Sequence, residues 1–224
     1  MTQPLLSEDD ALALLKPVLG SFIDGHLRAW NQWEQLQKVC LDAKAAELTL
    51  LLDATTRANI VNNYCIAETV TLIEPLAAPN YIEVSNKLGF AAVIVRQPTR
   101  SAFVRFKMLD RDKKYRNVST ERQIRLARQE WEADLLTELG FPGTQAPTVL
   151  TCGYTLAKDE SGIEGIHLVC QQNSTVCWSA PIWGVGRAVI EDLTLDDMPL
   201  RAPVVRSTRK PNESEGTISA EDSS

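Results

Sequence analysis

Eleven arginines and lysines fall between residues 96 and 128, opposed only by Asp110, Asp112 and Glu121, so this segment carries +8 in a chain of net charge −6. The remainder therefore carries −14. Charge segregated in this way marks a patch for a polyanion or an acidic partner, or a set of bases that pair with the acidic remainder. The sequence leaves both open. The densest stretch holds Arg105, Lys107, Arg111, Lys113, Lys114 and Arg116, with Tyr115 and Asn117 among them. Cations at that density displace counterions from a phosphate chain, and Tyr115, together with Phe103, offers an aromatic face for a base. These eight residues, Arg105 to Asn117 in that set, form the candidate polyanion- or partner-binding surface.

Other chemistries find less to work with. His26 and His167 are the only histidines, so a mechanism needing a histidine pair must use both. Cys152, His167, Cys170 and Cys177 are of the types that hold zinc, but no Cys-x-x-Cys spacing is present. Residues 167 and 170, three apart on a strand, also point to opposite faces. No metal or cofactor is predicted. A Cys–His nucleophile would need His167 to reach Cys152 across a hairpin. A two-metal nuclease needs clustered carboxylates at strand ends, where this chain has Arg105, with Asp110 and Asp112 only in the loop beyond. Neither histidine follows an arginine at the spacing of a metal-independent ribonuclease, and the glycine-rich phosphate loops are missing. A nuclease acting at the basic surface is the enzymatic alternative, and a plain nucleic-acid-binding module the other.

The elements that must position these residues follow from periodicity and punctuation. Ser7, then Glu8, Asp9 and Asp10, starts a helix, and Pro17 kinks or restarts it. A second helical stretch follows Gly25 with Trp30, Trp33 and Leu36 on one side, and a third begins near Thr55. Residues 81–84 and 90–96 read as strands, and 102–109 returns as the second arm of a hairpin. Along that arm Val104, Phe106 and Met108 face the core, while Phe103, Arg105 and Lys107 form an opposite, basic face. Ser119 or Thr120 caps one long helix to about residue 139, which Gly140 and Pro142 end. Segments 148–157, 163–171 and 176–183 form an antiparallel meander. The fold class is α+β: a helical N-terminal third, a β-hairpin, a long helix and a C-terminal antiparallel β-meander. One domain is expected over 1–198, with a helical subregion at about 7–75 and mixed sheet and helix at about 80–190. The polar, acidic stretch 199–224 reads as a disordered tail.

Several short motifs look familiar as a set: Arg105-Phe106-Lys107-Met108-Leu109-Asp110, Arg116-Asn117-Val118-Ser119-Thr120, Gln123 and Gln129, Gly153-Tyr154-Thr155-Leu156, and Trp178. Over about residues 57–183 the chain resembles prokaryotic mobile-element proteins associated with helix-turn-helix regulators carrying ImmA/IrrE-type metallopeptidase domains, in toxin–antitoxin or phage-defence loci. The resemblance implies a regulator or antitoxin protein as partner, and no reaction or catalytic residue. Five cysteines, an odd number, read as free thiols of a reducing compartment. No apolar run approaches the roughly 20 residues that cross a bilayer, and the N-terminus has no basic or apolar leader pattern. A cytoplasmic protein without membrane contact is expected.

Overall fold

Ser7 starts the first helix as its type and position predict. Its Oγ accepts from the Asp10 N–H at 3.2 Å, and three acids face the positive end of the helix dipole. The computed structural model describes residues 4–42, 53–76, 81–86, 90–115, 120–141, 146–173 and 175–184. Helix α1 spans Glu8–Leu15, and α2, Leu19–Asp42, restarts just past Pro17. The expected helical restart after Gly25 does not occur, because α2 continues through that residue. Gly25 marks a close approach to α3, Ala54–Ile73: a Cβ there would lie 2.1 Å from Thr69 Oγ1 and 3.3 Å from the Cys65 carbonyl. The missing side chain lets α2 and α3 pack backbone to backbone.

Six strands form one sheet in sequence order: β1 (Ile82–Ser85), β2 (Ala92–Gln97), β3 (Arg100–Met108), β4 (Thr148–Leu156), β5 (Ile163–Gln172) and β6 (Thr175–Gly184). The β2–β3 hairpin and the β4–β5–β6 meander are antiparallel, as their turn residues predict. They are joined by a parallel β3–β4 pair that local pattern does not reveal. A parallel pair needs a crossover, and parallel central strands are buried on both faces. On one face α1, α2 and α3 cover Val93, Val95, Val104, Phe106, Leu150, Tyr154 and Leu168. On the other, the crossover helices α4 (Glu121–Ala127) and α5 (Ala133–Glu138) cover Ala92, Ile94, Phe103 and Val149. The fold class is α+β, with a helical layer on each side of a mostly antiparallel sheet.

One long helix over 120–139 is expected from the apolar stripe, but the crossover is broken between α4 and α5. Thr120 caps α4 as predicted, and Gln129 then adopts a left-handed backbone, φ 60°. Its side chain explains the break. Nε2 donates to the carbonyls of Val149 (2.9 Å) and Gln171 (3.1 Å), and Oε1 accepts from the Val149 N–H (2.7 Å). The amide thus satisfies backbone groups where β4 enters the sheet, and a continuous helix could not deliver it there. Gln129→Ala keeps the backbone demand and removes all three bonds, so it should destabilise the fold by about 2 kcal/mol. A urea unfolding midpoint equal to wild type would contradict this role.

The chain divides into two compact units, Met1–Val189 and Ile190–Ser224. All described residues belong to the first, and the tail expected at 199–224 lies outside them. Among the described residues no helix is long and apolar enough to cross a membrane.

Candidate anion-binding site

Strand β3 places Phe103, Arg105 and Lys107 on the face away from α1–α3, as alternation predicts. That face is not an open basic surface. Phe103 is buried under Phe90 and Trp131. Arg105 is 1% exposed, and Lys107 is half-buried. The cause lies just past the strand, where the Asp110 N–H donates to Lys114 O (2.8 Å), the Lys113 N–H to Asp110 O (3.0 Å), and Asp110 Oδ1 accepts from the Lys114 N–H (2.8 Å). Lys113, in the left-handed region at φ 62°, completes this tight turn. The turn brings Tyr115 back over the sheet, where it packs with Leu109, Val169 and Val176. Its ring lies 4.3 Å from the Arg105 guanidinium carbon and is itself 6% exposed. Tyr115 and Phe103, expected as base-stacking faces, are therefore engaged within the fold.

The charges around this turn lack counterions. Arg96 pairs with Glu83 (2.8 Å), Arg100 with Asp10 (2.6 Å), and Arg125 with Glu121 and Glu132. Glu83, Asp10 and Glu132 belong to the acidic remainder, and Glu121 to the basic segment itself. Among the described residues, Arg105, Lys107, Arg111, Lys113 and Lys114 enter no ion pair. Arg111 and Lys114 are exposed and Lys113 half-buried. Arg116 and Asn117 lie outside the described residues.

Arg105 is the most costly of these. Its Nε–H reaches Thr151 Oγ1 at a long 3.4 Å, and neither Nη1 nor Nη2 has a hydrogen-bond partner among the described residues. Burying a charge costs several kcal/mol per ion, against roughly 0.5–2 kcal/mol from a cation–π contact. Tyr115 alone does not balance that. Burial lowers the Arg105 pKa, with Tyr115 opposing, and burial followed by the neighbouring Arg105 charge lowers that of Lys107. His167 stands in the same row, opposite Gly153, which is itself opposite Lys107. Burial, then Lys113, lowers its pKa to about 4. Arg105 and Lys107 thus keep their charge against burial, a cost that a bound anion would offset.

The remaining sequence candidates separate. Cys152 and Cys170 face α1–α3 while His167 faces away, so no Cys–His dyad or shared metal site forms from them. Among the described residues no three His, Cys, Asp or Glu side chains gather as a metal site. Burial raises Cys65 and Cys170 to about 12 and Cys152 well above the ordinary thiol range, which opposes thiolate chemistry. The carboxylates a metal-dependent nuclease would recruit are also engaged: Glu83 with Arg96, and Asp110 within its turn.

Among the described residues of the short motifs, six hold the fold. Phe106 and Tyr154 are core, and Gly153 admits β3 closely. Thr120 is a cap, Gln129 bridges β4 and β5, and Trp178 Nε1 donates to Leu6 O at 2.8 Å. Arg105 differs in having no hydrogen-bond partner for its terminal nitrogens among the described residues. Fold and site together define a helix-flanked, mostly antiparallel sheet bearing an unpaired cationic cluster on its second face. No protein-family model, curated protein or solved structure matches the chain.

Proposed function

We propose that this chain is a binding or effector component of a prokaryotic toxin–antitoxin-like or phage-defence module, and that Arg111, Lys113 and Lys114 dock an acidic surface of a partner regulator. One observation carries the reading: among the described residues Arg111, Lys113 and Lys114 lie in one turn and enter no ion pair. Arg122 and Arg128 also enter none, whereas Arg96, Arg100 and Arg125 are paired. Unpaired charge of one sign on a surface steers and orients an oppositely charged partner. The resemblance over residues 57–183 supplies the kind of module. Burial of Tyr115 and Phe103 leaves the surface with charge and no stacking platform, which favours an acidic protein over a single-stranded nucleic acid.

Expression in a bacterial host tests this reading. The wild-type chain should slow growth, and the Arg111→Gln/Lys113→Gln/Lys114→Gln triple variant should remove the effect while its stability stays within about 0.5 kcal/mol. No growth effect, together with no binding to a helix-turn-helix regulator encoded beside it, would remove its support. Cleavage of RNA or DNA by the purified chain, with or without Mg²⁺, would favour the nuclease alternative instead.

A further inference from the structure

We propose that Arg105 and Lys107 form a discrete receptor for a single phosphate-sized oxyanion, with the Tyr115 ring occupying its entrance in this structure. The inference rests on the reading that this face of the molecule recognises anions, and names a ligand for its buried part. Three observations converge on it. Both terminal nitrogens of Arg105 are buried and unpartnered. Lys107, two residues along the same strand face, adds a second cation, and burial followed by the Arg105 charge lowers its pKa. Among the described residues no carboxylate pairs with either.

Two adjacent cations match a dianion better than a single carboxylate, and the planar fork of arginine binds two phosphate oxygens side by side. The Tyr115 ring covers the guanidinium, but neither Nη1 nor Nη2 has a hydrogen-bond partner among the described residues. An entering phosphate would exchange a cation–π contact for charge-assisted hydrogen bonds, which are the stronger interaction.

Thermal unfolding of the full chain in sodium phosphate, sodium acetate and sodium chloride, at equal ionic strength and pH 7.5, tests the proposal. At about a hundredfold excess over Kd, phosphate should raise the wild-type Tm by roughly 5 °C above chloride. Phosphate also stabilises proteins by exclusion from their surface, so the decisive arm is Arg105→Met, which keeps an apolar stem against Tyr115. That variant should match or exceed wild type in chloride and lose the extra phosphate shift. Lys107→Gln, at a half-buried position, keeps the test alive if Arg105→Met does not fold, and should need about tenfold more phosphate for half its effect. Equal phosphate shifts in wild type and both variants would overturn the proposal. An Arg105-dependent shift in acetate as large as in phosphate would overturn the phosphate assignment in favour of a carboxylate. Orthophosphate presents no docking surface, so a chain that binds its regulator but ignores phosphate refutes this inference alone. One that takes phosphate but no regulator refutes the preceding reading alone.

Discussion

Gly153→Val should destabilise the protein by about 3 kcal/mol, although valine is a far better strand former than glycine. Gly153 sits in β4 opposite Lys107 of β3, at the parallel pair that joins the hairpin to the meander. A Cβ there would lie 2.5 Å from the Lys107 carbonyl oxygen and 2.6 Å from Leu109 Cγ. The first of these is backbone and cannot swing aside, so relief requires the two strands to part. The second supports the packing of Tyr115 and Val169, so the damage should also reach the cover over Arg105. Urea unfolding of Gly153→Val and Gly153→Ala separates the two effects. Propensity alone predicts a small gain for valine, whereas steric conflict predicts a loss that grows from alanine to valine. Stability equal to wild type in both would show that β3 and β4 do not approach this closely.

The second large effect is acid sensitivity set by His26. This residue is fully buried between α2 and the sheet, beside Phe106 and Tyr154. Its Nδ1–H donates to the Phe22 carbonyl at 2.7 Å, leaving Nε2 unprotonated and without a partner among the described residues. Burial lowers its pKa from 6.5 to about 4, with the Phe22 bond opposing. The unfolded chain therefore binds more protons than the folded one between those values. Stability from this group is complete above pH 6.5 and falls as the pH drops toward 4, by about 3 kcal/mol in total. His167, similarly lowered but half-exposed, adds a smaller slope of the same sign. The His26→Met variant isolates the larger contribution, since an apolar side chain of similar volume packs against both rings. Between pH 7 and 4.5 the unfolding free energy of wild type should fall by more than that of the variant. Parallel pH profiles would contradict a buried neutral His26.

Much of the fold was legible in the sequence because it is locally encoded. Ser7 and Thr120 act as caps where their types predict, and the six strands begin and end within a few residues of the alternating apolar runs. What escaped depends on distant partners. Nothing near Gly25 distinguishes a helix restart from a helix crossing, since glycine serves both. Gln129 adopts a backbone conformation typical of glycine because β4 and β5 satisfy its side chain, and neither strand is nearby in sequence. The site was half legible. Charge counting located the cluster, and alternation placed Arg105 and Lys107 on the correct face. Their exposure was misjudged because composition assigns arginine to solvent, whereas a turn at residues 110–114 folds Tyr115 back over it. Burial sets Arg105 apart from the exposed cations of the cluster.

The central claim is that the unpaired cations form an interface for an anionic partner. Fluorescence anisotropy with labelled polyglutamate and labelled duplex RNA, between about 50 and 200 mM NaCl, tests it most directly, because screening weakens ion pairing across that range. Wild type should bind polyglutamate with an affinity falling steeply with salt, and the Arg111→Gln/Lys113→Gln/Lys114→Gln variant should bind more weakly with a shallower slope. Tighter salt-dependent binding to the RNA would move the partner from protein to nucleic acid. Salt-independent binding, or equal binding by wild type and the triple variant, would contradict the interface itself.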